Sequence, residues 1–248
     1  VAHHYIDESL DSAGFLVGGR LALTGAEARH AATVSRIRAG ESVRVGDGRG
    51  LVATAVVESA EAARVVLVVE SVQESPVPSP RLVLVQALAK GDRDELAVQA
   101  ATELGVDEVV PWQAARCISR WSGAKSGTKE EKGRERWRAV VREASKQSLR
   151  PRVPEVAPLE HIRALVARAA TARVLVLEPS AEARLSQVVP DGRDLVLVVG
   201  PEGGIAPEEL RQLAEAGAEA VALGGSVLRT STAGPAAIAV LSARLGRW

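Results

Sequence analysis

The sequence predicts an α/β protein in two parts: a small N-terminal β-barrel, then a larger C-terminal domain built on a parallel sheet. Three observations predict it. Residues 1–74 consist mainly of short β-rich runs, Pro76, Pro78 and Pro80 interrupt the chain, and from Arg81 onward continuous apolar runs alternate with helical stretches. Strands alternating with helices imply a parallel sheet covered on both faces, and such strands read as unbroken apolar runs because neither face meets water.

In the first part, "RLALT", "ESVRV", "LVATAVVES" and "ARVVLVVESV" have the composition of strands. "GDGRG", Gly46 to Gly50, reads as a hairpin connection between two of them. One helical stretch, Gly25 to Ile37, interrupts the strands. Residues 75–80 form a linker, because proline cannot donate to a sheet and favours extended backbone. The second part, residues 81–248, opens with the strand "RLVLVQAL". The helix "DRDELAVQAATELG" follows, with Leu96, Gln99, Ala100 and Glu103 at helical spacing and Gly105 as its stop. "DEVVPW" is a strand, a basic helix lies near "KGRERWRAVVREASKQS", and "PLEHIRALVARAA" is a helix preceding the strand "ARVLVLEPS". "DLVLVVG" is a strand that feeds a helix from Pro207; "AEAVALG" is the last strand and "STAGPAAIAVLSARLG" the last helix.

The chain is 46% hydrophobic, enough for a sizeable core, yet holds no uncharged apolar run of the length a membrane helix needs. The stretch "VAHHYIDESL" lacks a basic region followed by an apolar one, so a secretory signal is not expected there. The single cysteine, Cys117, excludes an internal disulfide and a cysteine metal site within one chain, and a reducing cytoplasm is the expected location. A formal net charge of zero conceals a segregation: residues 112–152 hold 12 Lys+Arg against 4 Asp+Glu, while each remaining stretch is net acidic. Such a segment either attracts a polyanion or forms a solvated, salt-bridged helix face, and charge alone leaves both open.

Ligands of open α/β sheets bind at the carboxyl ends of the strands. Three such ends carry Gly, Pro or small polar residues: "LVLEPS" (Leu175 to Ser180), "VVGPEGG" (Val198 to Gly204) and "ALGGSVLRTSTAG" (Ala222 to Gly234). No G-x-x-x-x-G-K-[ST] or strand-to-helix G-x-G-x-x-G pattern occurs, so neither a phosphate loop nor a dinucleotide fold is supported. Pro207, Glu208 and Glu209 suit the first turn of the helix after Gly200, and with Glu202 they put three carboxylates near its entrance, which would repel a phosphate. An adenosine, a ribose or a sulfonium fits better; a plain glycine turn without a ligand is the alternative. In the third loop Ser231 or Thr232 is the expected cap of the last helix, and Pro235 falls at its third position if Thr232 caps. Arg229 must then pair with an acid such as Glu202 or face a cleft.

"VVGPEGGIAPEEL" followed by "ALGGSVLRTSTA" resembles the SPOUT class of S-adenosylmethionine-dependent RNA methyltransferases, and within it the RsmE family, which methylates N3 of a uridine in 16S rRNA of the small ribosomal subunit. "LTGAEARHAATVSRIRAGESVRVGDGRG" is similar to the family's N-terminal PUA-like barrel. "QALAKGDRDELAVQAATELGVDEVVPWQAARC" and "REASKQSLRPRVPEV" are similar to its central segments, so the resemblance covers nearly the whole chain. One departure is Ser231, where the family usually has Glu between two threonines. The resemblance implies a deep trefoil knot in the C-terminal SPOUT domain and a homodimer with its active site near the subunit interface. It also implies S-adenosylmethionine as methyl donor, no metal, 16S rRNA as partner and no membrane.

On that reading Leu175, Leu177, Leu223 and Leu228 flank the adenine, while Gly200, Gly203, Gly204, Gly224 and Val227 bring backbone close to the cofactor. Glu202 accepts from the ribose or lies near the sulfonium. Arg229 is the expected catalytic cation, stabilising charge on O2 and O4 as uracil N3 loses its proton; the base that takes the proton is not identified. RNA would lie across Arg29, His30, Arg36 and Arg38 in the barrel and across Arg116, Arg120, Lys146, Gln147, Arg150 and Arg152 in the basic segment, with Ser148 beside them. His30 reads as well as a structural or surface histidine. Base stacking is limited to Tyr5, Phe15 or the tryptophans, of which Trp112, Trp121 and Trp137 read better as core or dimer contacts. Two alternatives stand beside this reading: a SPOUT enzyme of another specificity such as ribose 2′-O-methylation, and an RNA-binding ribosome-assembly protein without catalysis.

Overall fold

Leu82–Ala87, Glu108–Trp112 and Leu195–Val199 are buried at every position, as strands covered on both faces must be. The computed structural model describes residues 3–122 and 127–248. Parts of two sequence readings, Val1 and Ala2 of the N-terminal stretch and residues 123–126 of the basic segment, lie outside the described residues. The chain divides into two compact units, one of residues up to Val77 with Ser145–Val153, the other of Pro78–Ala144 with Pro154–Trp248.

The first unit contains β1 (His4–Ile6), β2 (Arg20–Thr24), α1 (Gly25–Arg29), β3 (Ser42–Gly46), β4 (Leu51–Glu61) and β5 (Arg64–Glu74). The helical stretch expected from Gly25 to Ile37 is α1 continued by a π-helical turn, His30–Val34. The sheet order is β1-β3-β4-β5-β2, antiparallel except for β1 on β3. Register shifts at Thr54/Ala55 and Val57/Ser59 bulge the long β4–β5 hairpin and bend it. Tyr5, Leu21, Leu23, Val43, Val45, Ala55, Val57, Leu67 and Val69 join Ala28 and Ala31 in one core, so all five strands curl around common contents. The Asp47 carboxylate accepts from the N–H groups of Arg49 (2.7 Å) and Leu51 (3.1 Å) and closes the β3–β4 turn.

Residues 145–153, grouped with the C-terminal part on sequence, pack in the first unit instead. The Val153 N–H donates to the Gly48 carbonyl (2.9 Å), and Lys146 Nζ pairs with Glu27 at 3.2 Å with both side chains at most 10% exposed. These partners lie about a hundred residues apart in sequence, so no local pattern announces them.

The second unit has six parallel strands, β6 (Leu82–Ala87), β7 (Glu108–Trp112), β8 (Glu155–Val156), β9 (Arg173–Leu177), β10 (Leu195–Val199) and β11 (Glu219–Val221). Their order is β11-β9-β10-β6-β7-β8, so the winding reverses beside β6 and the later strands lie on its other side. The helices are α2 (Arg93–Glu103), α3 (Gly127–Gln147), α4 (Ile162–Arg168), α5 (Pro207–Glu215) and α6 (Thr230–Arg244). α2 packs with α6, α6 also rests on β6 and β10, and α4 packs with α5. Arg247 ties the chain end to the start of the sheet through Asp107 (3.1 Å) and the Pro80 carbonyl (2.6 Å).

Three local expectations need correction. The stripe of Leu96, Gln99, Ala100 and Glu103 faces outward, Leu96 being 57% exposed; α2 buries Ala97, Val98 and Ala101, small residues that let α6 approach. Neither Ser231 nor Thr232 caps α6: Arg229 occupies the cap position without a side-chain bond, and Pro235 lies inside the helix. Tyr5 and Phe15 are buried and offer no surface for base stacking, whereas Trp112, Trp121 and Trp137 are buried as the core reading expects; the Trp121 and Trp137 rings meet edge-on at 5.5 Å.

Candidate active site

The C-terminal ends of β9, β10 and β11 open into a cleft of about 590 Å³. Each strand delivers one loop to it: Leu177, Glu178 and Pro179 after β9; Gly200, Pro201, Glu202, Gly204 and Ile205 after β10; Ala222 to Thr230, less Gly225, after β11. The three strand-end loops singled out by composition therefore line one site. A Cβ at Gly200 would stand 2.6 Å from Ile205 Cγ1, so the turn closes only around a residue without a side chain.

Of the expected cofactor residues, Leu177, Gly200, Glu202, Gly204, Leu223, Gly224, Val227 and Leu228 line the cleft, and so does Arg229. Leu175 does not: it lies two residues inside β9, fully buried between β10 and β11. Gly203 is also outside the cleft and offers its carbonyl to Arg116 (3.0 Å). Arg93, Glu178, Ser226 and Thr230 were missed. Glu178 lies within the strand end "LVLEPS", but nothing local marks Arg93, which comes from the start of α2 and reaches Glu202 at 3.3 Å.

The three carboxylates expected at the α5 entrance have separate fates. Glu209 is buried and accepts from the N–H groups of Ala115 (2.9 Å) and Ala206 (3.3 Å). Glu208 is held by Arg211 and Gln212, which pull its carboxyl down to about 2. Only Glu202 faces the cleft, with Oε1 bonded to the Lys90 N–H (3.2 Å) and to Arg93. Arg229 is exposed at the rim, and among the described residues its guanidinium has no hydrogen-bond or ion-pair partner. Of its two sequence-level options, the salt bridge to Glu202 is not formed and the cleft-facing one is.

The expected RNA residues divide by exposure. Arg29, His30, Arg36 and Arg38 are exposed on the α1 segment of the first unit. Arg116 and Arg120 are exposed in the second unit, each bonded to a backbone carbonyl, which leaves the charge uncompensated. Gln147 is exposed and Arg150 half-buried. Lys146 is a correction, being buried on Glu27; Arg152 is half-buried, with its guanidinium on the Ser75 (2.7 Å) and Pro76 (3.2 Å) carbonyls and no acid partner among the described residues. Along α3, Arg136 pairs with Glu95 and Arg138 with Glu131 and Glu135, so part of the basic segment is the salt-bridged helix face that charge alone also allowed. No group of three His, Cys, Asp or Glu among the described residues could hold a metal ion.

Residues 75–242 match the model of the RNA methyltransferase domain, and residues 23–70 that of the RNA methyltransferase PUA domain. The chain is 44% identical to the ribosomal RNA small subunit methyltransferase E of Mycobacterium bovis, covering 98% of this chain and 92% of that protein. This chain belongs to the RsmE family of SPOUT-class RNA methyltransferases. The RsmE protein of Bacillus subtilis is 31% identical over 89% of this chain and 88% of its own length. Among solved structures, the Neisseria gonorrhoeae RsmE bound to S-adenosyl methionine superposes with a TM-score of 0.86 at 31% identity and 98% coverage of each chain. The β-barrel unit is thus the PUA domain of an RsmE protein and the parallel sheet its methyltransferase domain. Among the described residues, no helix is long and apolar enough to cross a membrane.

Proposed function

We propose that this RsmE-family protein transfers a methyl group from S-adenosylmethionine to N3 of a uridine in 16S rRNA. The observation that carries the reading is the cleft at the ends of β9, β10 and β11, with an acid on its wall and an unpaired arginine at its rim. Its volume suits a nucleoside-sized ligand, and its lining suits this one. Leu177, Leu223 and Leu228 provide apolar surface for an adenine. Glu202 offers an acceptor to ribose hydroxyls and a negative charge to a sulfonium. When bound, S-adenosylmethionine supplies the electrophilic methyl group.

Uracil N3 is a poor nucleophile while it carries its proton. Loss of that proton spreads negative charge onto O2 and O4, which a preorganised cation in a confined site stabilises well. Arg229 has the position and the free donors for this role. Arg29, Arg36, Arg38, Arg116 and Arg120 are exposed cations available to phosphates, which would position the RNA without reading its sequence. The reading includes a homodimer, the trefoil knot of the class, and a cytoplasmic setting where ribosomal subunits are found.

The test is nucleoside analysis of 16S rRNA from a strain lacking the gene, with calorimetry of the purified protein on S-adenosylmethionine. Loss of 3-methyluridine and its return with the wild-type gene are expected. Retained 3-methyluridine with loss of a 2′-O-methyl nucleoside would favour the other SPOUT specificity, and absence of cofactor binding at millimolar concentration would leave RNA binding alone.

A further inference from the structure

Gln86 is an amide in the middle of the sheet. It is fully buried on β6, flanked in sequence by Leu84, Val85, Ala87 and Leu88, all fully buried, and opposite Val199 of β10. Its Nε2 donates to Thr230 Oγ1 (2.9 Å) and to the Ala87 carbonyl (3.2 Å), while Oε1 has no partner. A leucine here would fill similar space and leave no orphan acceptor, so the fold alone gives no reason for an amide.

The hydroxyl it reaches supplies a reason. Thr230 is the first residue of α6 and is nearly buried; having accepted from Gln86, it donates its one proton to the Gly200 carbonyl (3.1 Å). Gly200 and Thr230 both line the cleft, Gln86 does not, and Arg229 is the residue next to Thr230. Three segments distant in sequence meet in this chain of bonds: β6, the turn after β10 and the start of α6. Gly234 lets them meet, since a Cβ there would stand 2.9 Å from Leu84 Cδ1 and 3.5 Å from Gln86 Oε1.

We infer that Gln86 and Thr230 form a positioning relay, which orients the Gly200 carbonyl and the Arg229 backbone so that the cleft is preformed for its nucleoside ligand. Gln86 fixes the direction of the Thr230 hydroxyl; Thr230 fixes the Gly200 turn relative to the arginine. Neither is a catalytic residue. The inference rests on the cleft being the S-adenosylmethionine site.

Calorimetry with S-adenosylmethionine, with thermal midpoints recorded alongside, tests it. Thr230→Val keeps the side-chain shape and removes the hydroxyl; it is expected to weaken binding about tenfold, with KM for the cofactor rising in step and the midpoint little changed. Thr230→Ser restores the hydroxyl and is expected within about threefold of wild type. Gln86→Leu is expected to fold, with binding weakened roughly three- to tenfold. Because the two residues act through one chain of bonds, the double variant Q86L/T230V should bind no more than about twofold more weakly than T230V. Wild-type affinity in T230V, or a double variant showing the product of the two losses, would overturn the relay. Should T230V fail to fold, wild-type affinity in Q86L would overturn it as well. Gly224→Phe, which blocks the cleft, separates the two readings. If it abolishes binding while Q86L and T230V bind normally, only the relay falls; if it binds normally, the cleft assignment falls and the relay with it.

Discussion

Glu202 offers the cleft one carboxylate oxygen that no described residue uses. Oε1 is committed to the Lys90 N–H and to Arg93, whereas Oε2 has no hydrogen-bond partner among the described residues. A ribose hydroxyl donating to Oε2 makes a charge-assisted bond of about 1.5–3 kcal/mol. At 1.4 kcal/mol per factor of ten, Glu202→Ala should weaken S-adenosylmethionine binding roughly 10- to 150-fold. Glu202→Gln keeps an acceptor but loses the charge; exchanging that bond for a neutral one of about 0.5–1.5 kcal/mol forfeits about 1–1.5 kcal/mol and predicts a loss of only ~5- to 12-fold. Neither change should unfold the protein. The pair with Arg93 joins side chains 50% and 26% exposed, so solvent screening holds its contribution to about 0–1 kcal/mol and the thermal midpoint should fall by no more than ~4 °C. Titration calorimetry reads the affinity, and Arg93→Ala is the control, because it removes the anchor while sparing the acceptor. A folded Glu202→Ala protein that binds within twofold of wild type would refute the argument. Equal losses in Glu202→Ala and Arg93→Ala would show that Glu202 acts only by holding its turn.

Arg229→Ala should lower kcat about 100-fold or more while cofactor affinity changes by less than ~10-fold, because the cation acts on charge that develops in the reaction; wild-type turnover would remove it from the mechanism. Arg168 holds Glu108 (2.8 Å) and Glu160 (2.6 Å) with its side chain 22% exposed, and Arg168→Ala leaves Glu160 without a guanidinium and Glu108 with Arg81 alone (3.3 Å). After allowance for that exposure, about 2–4 kcal/mol should be lost in urea unfolding, and a loss below about 1 would contradict the network's role. Burial first, then the Arg44 charge, pushes the His4 imidazole down to about 4 from 6.5. The folded state keeps it neutral while the unfolded chain protonates, so about 1–3 kcal/mol present above pH 6.5 is lost as pH falls toward 4. His4→Gln should flatten that window, and equal acid sensitivity in the variant would exclude His4 as the cause. Burial pushes the Cys117 thiol up to about 11, so iodoacetamide at pH 7.5 should label it far more slowly than in urea, and equal rates would contradict that.

Most of the fold was legible because its signals are local. Apolar runs at Leu82–Val85 and Leu195–Val199 read as doubly covered strands, and glycines and prolines marked the loops that became the cleft. β1 and β8, three and two residues long, carry too little pattern to be seen. α2 was read as a helix, but its face was not, since Ala97, Val98 and Ala101 are chosen by the neighbouring helix and not by hydrophobicity.

The sequence by itself determined the two-part order, the three strand-end loops and membership of the family, since each depends on residues adjacent in the chain. Tertiary structure decided which side chains those loops turn inward. Leu177 reaches the cleft because β9 ends at it, and Leu175 does not because it is still inside the sheet between β10 and β11. Lys146 looks like an RNA ligand until the buried Glu27 is found beside it. Gln86 looks like an interruption in an apolar strand until Thr230, 144 residues later, accepts a hydrogen bond from its amide. A charge or an amide declares its residue type locally, but its partner is set by where the chain returns, and for these residues the partner decides the role.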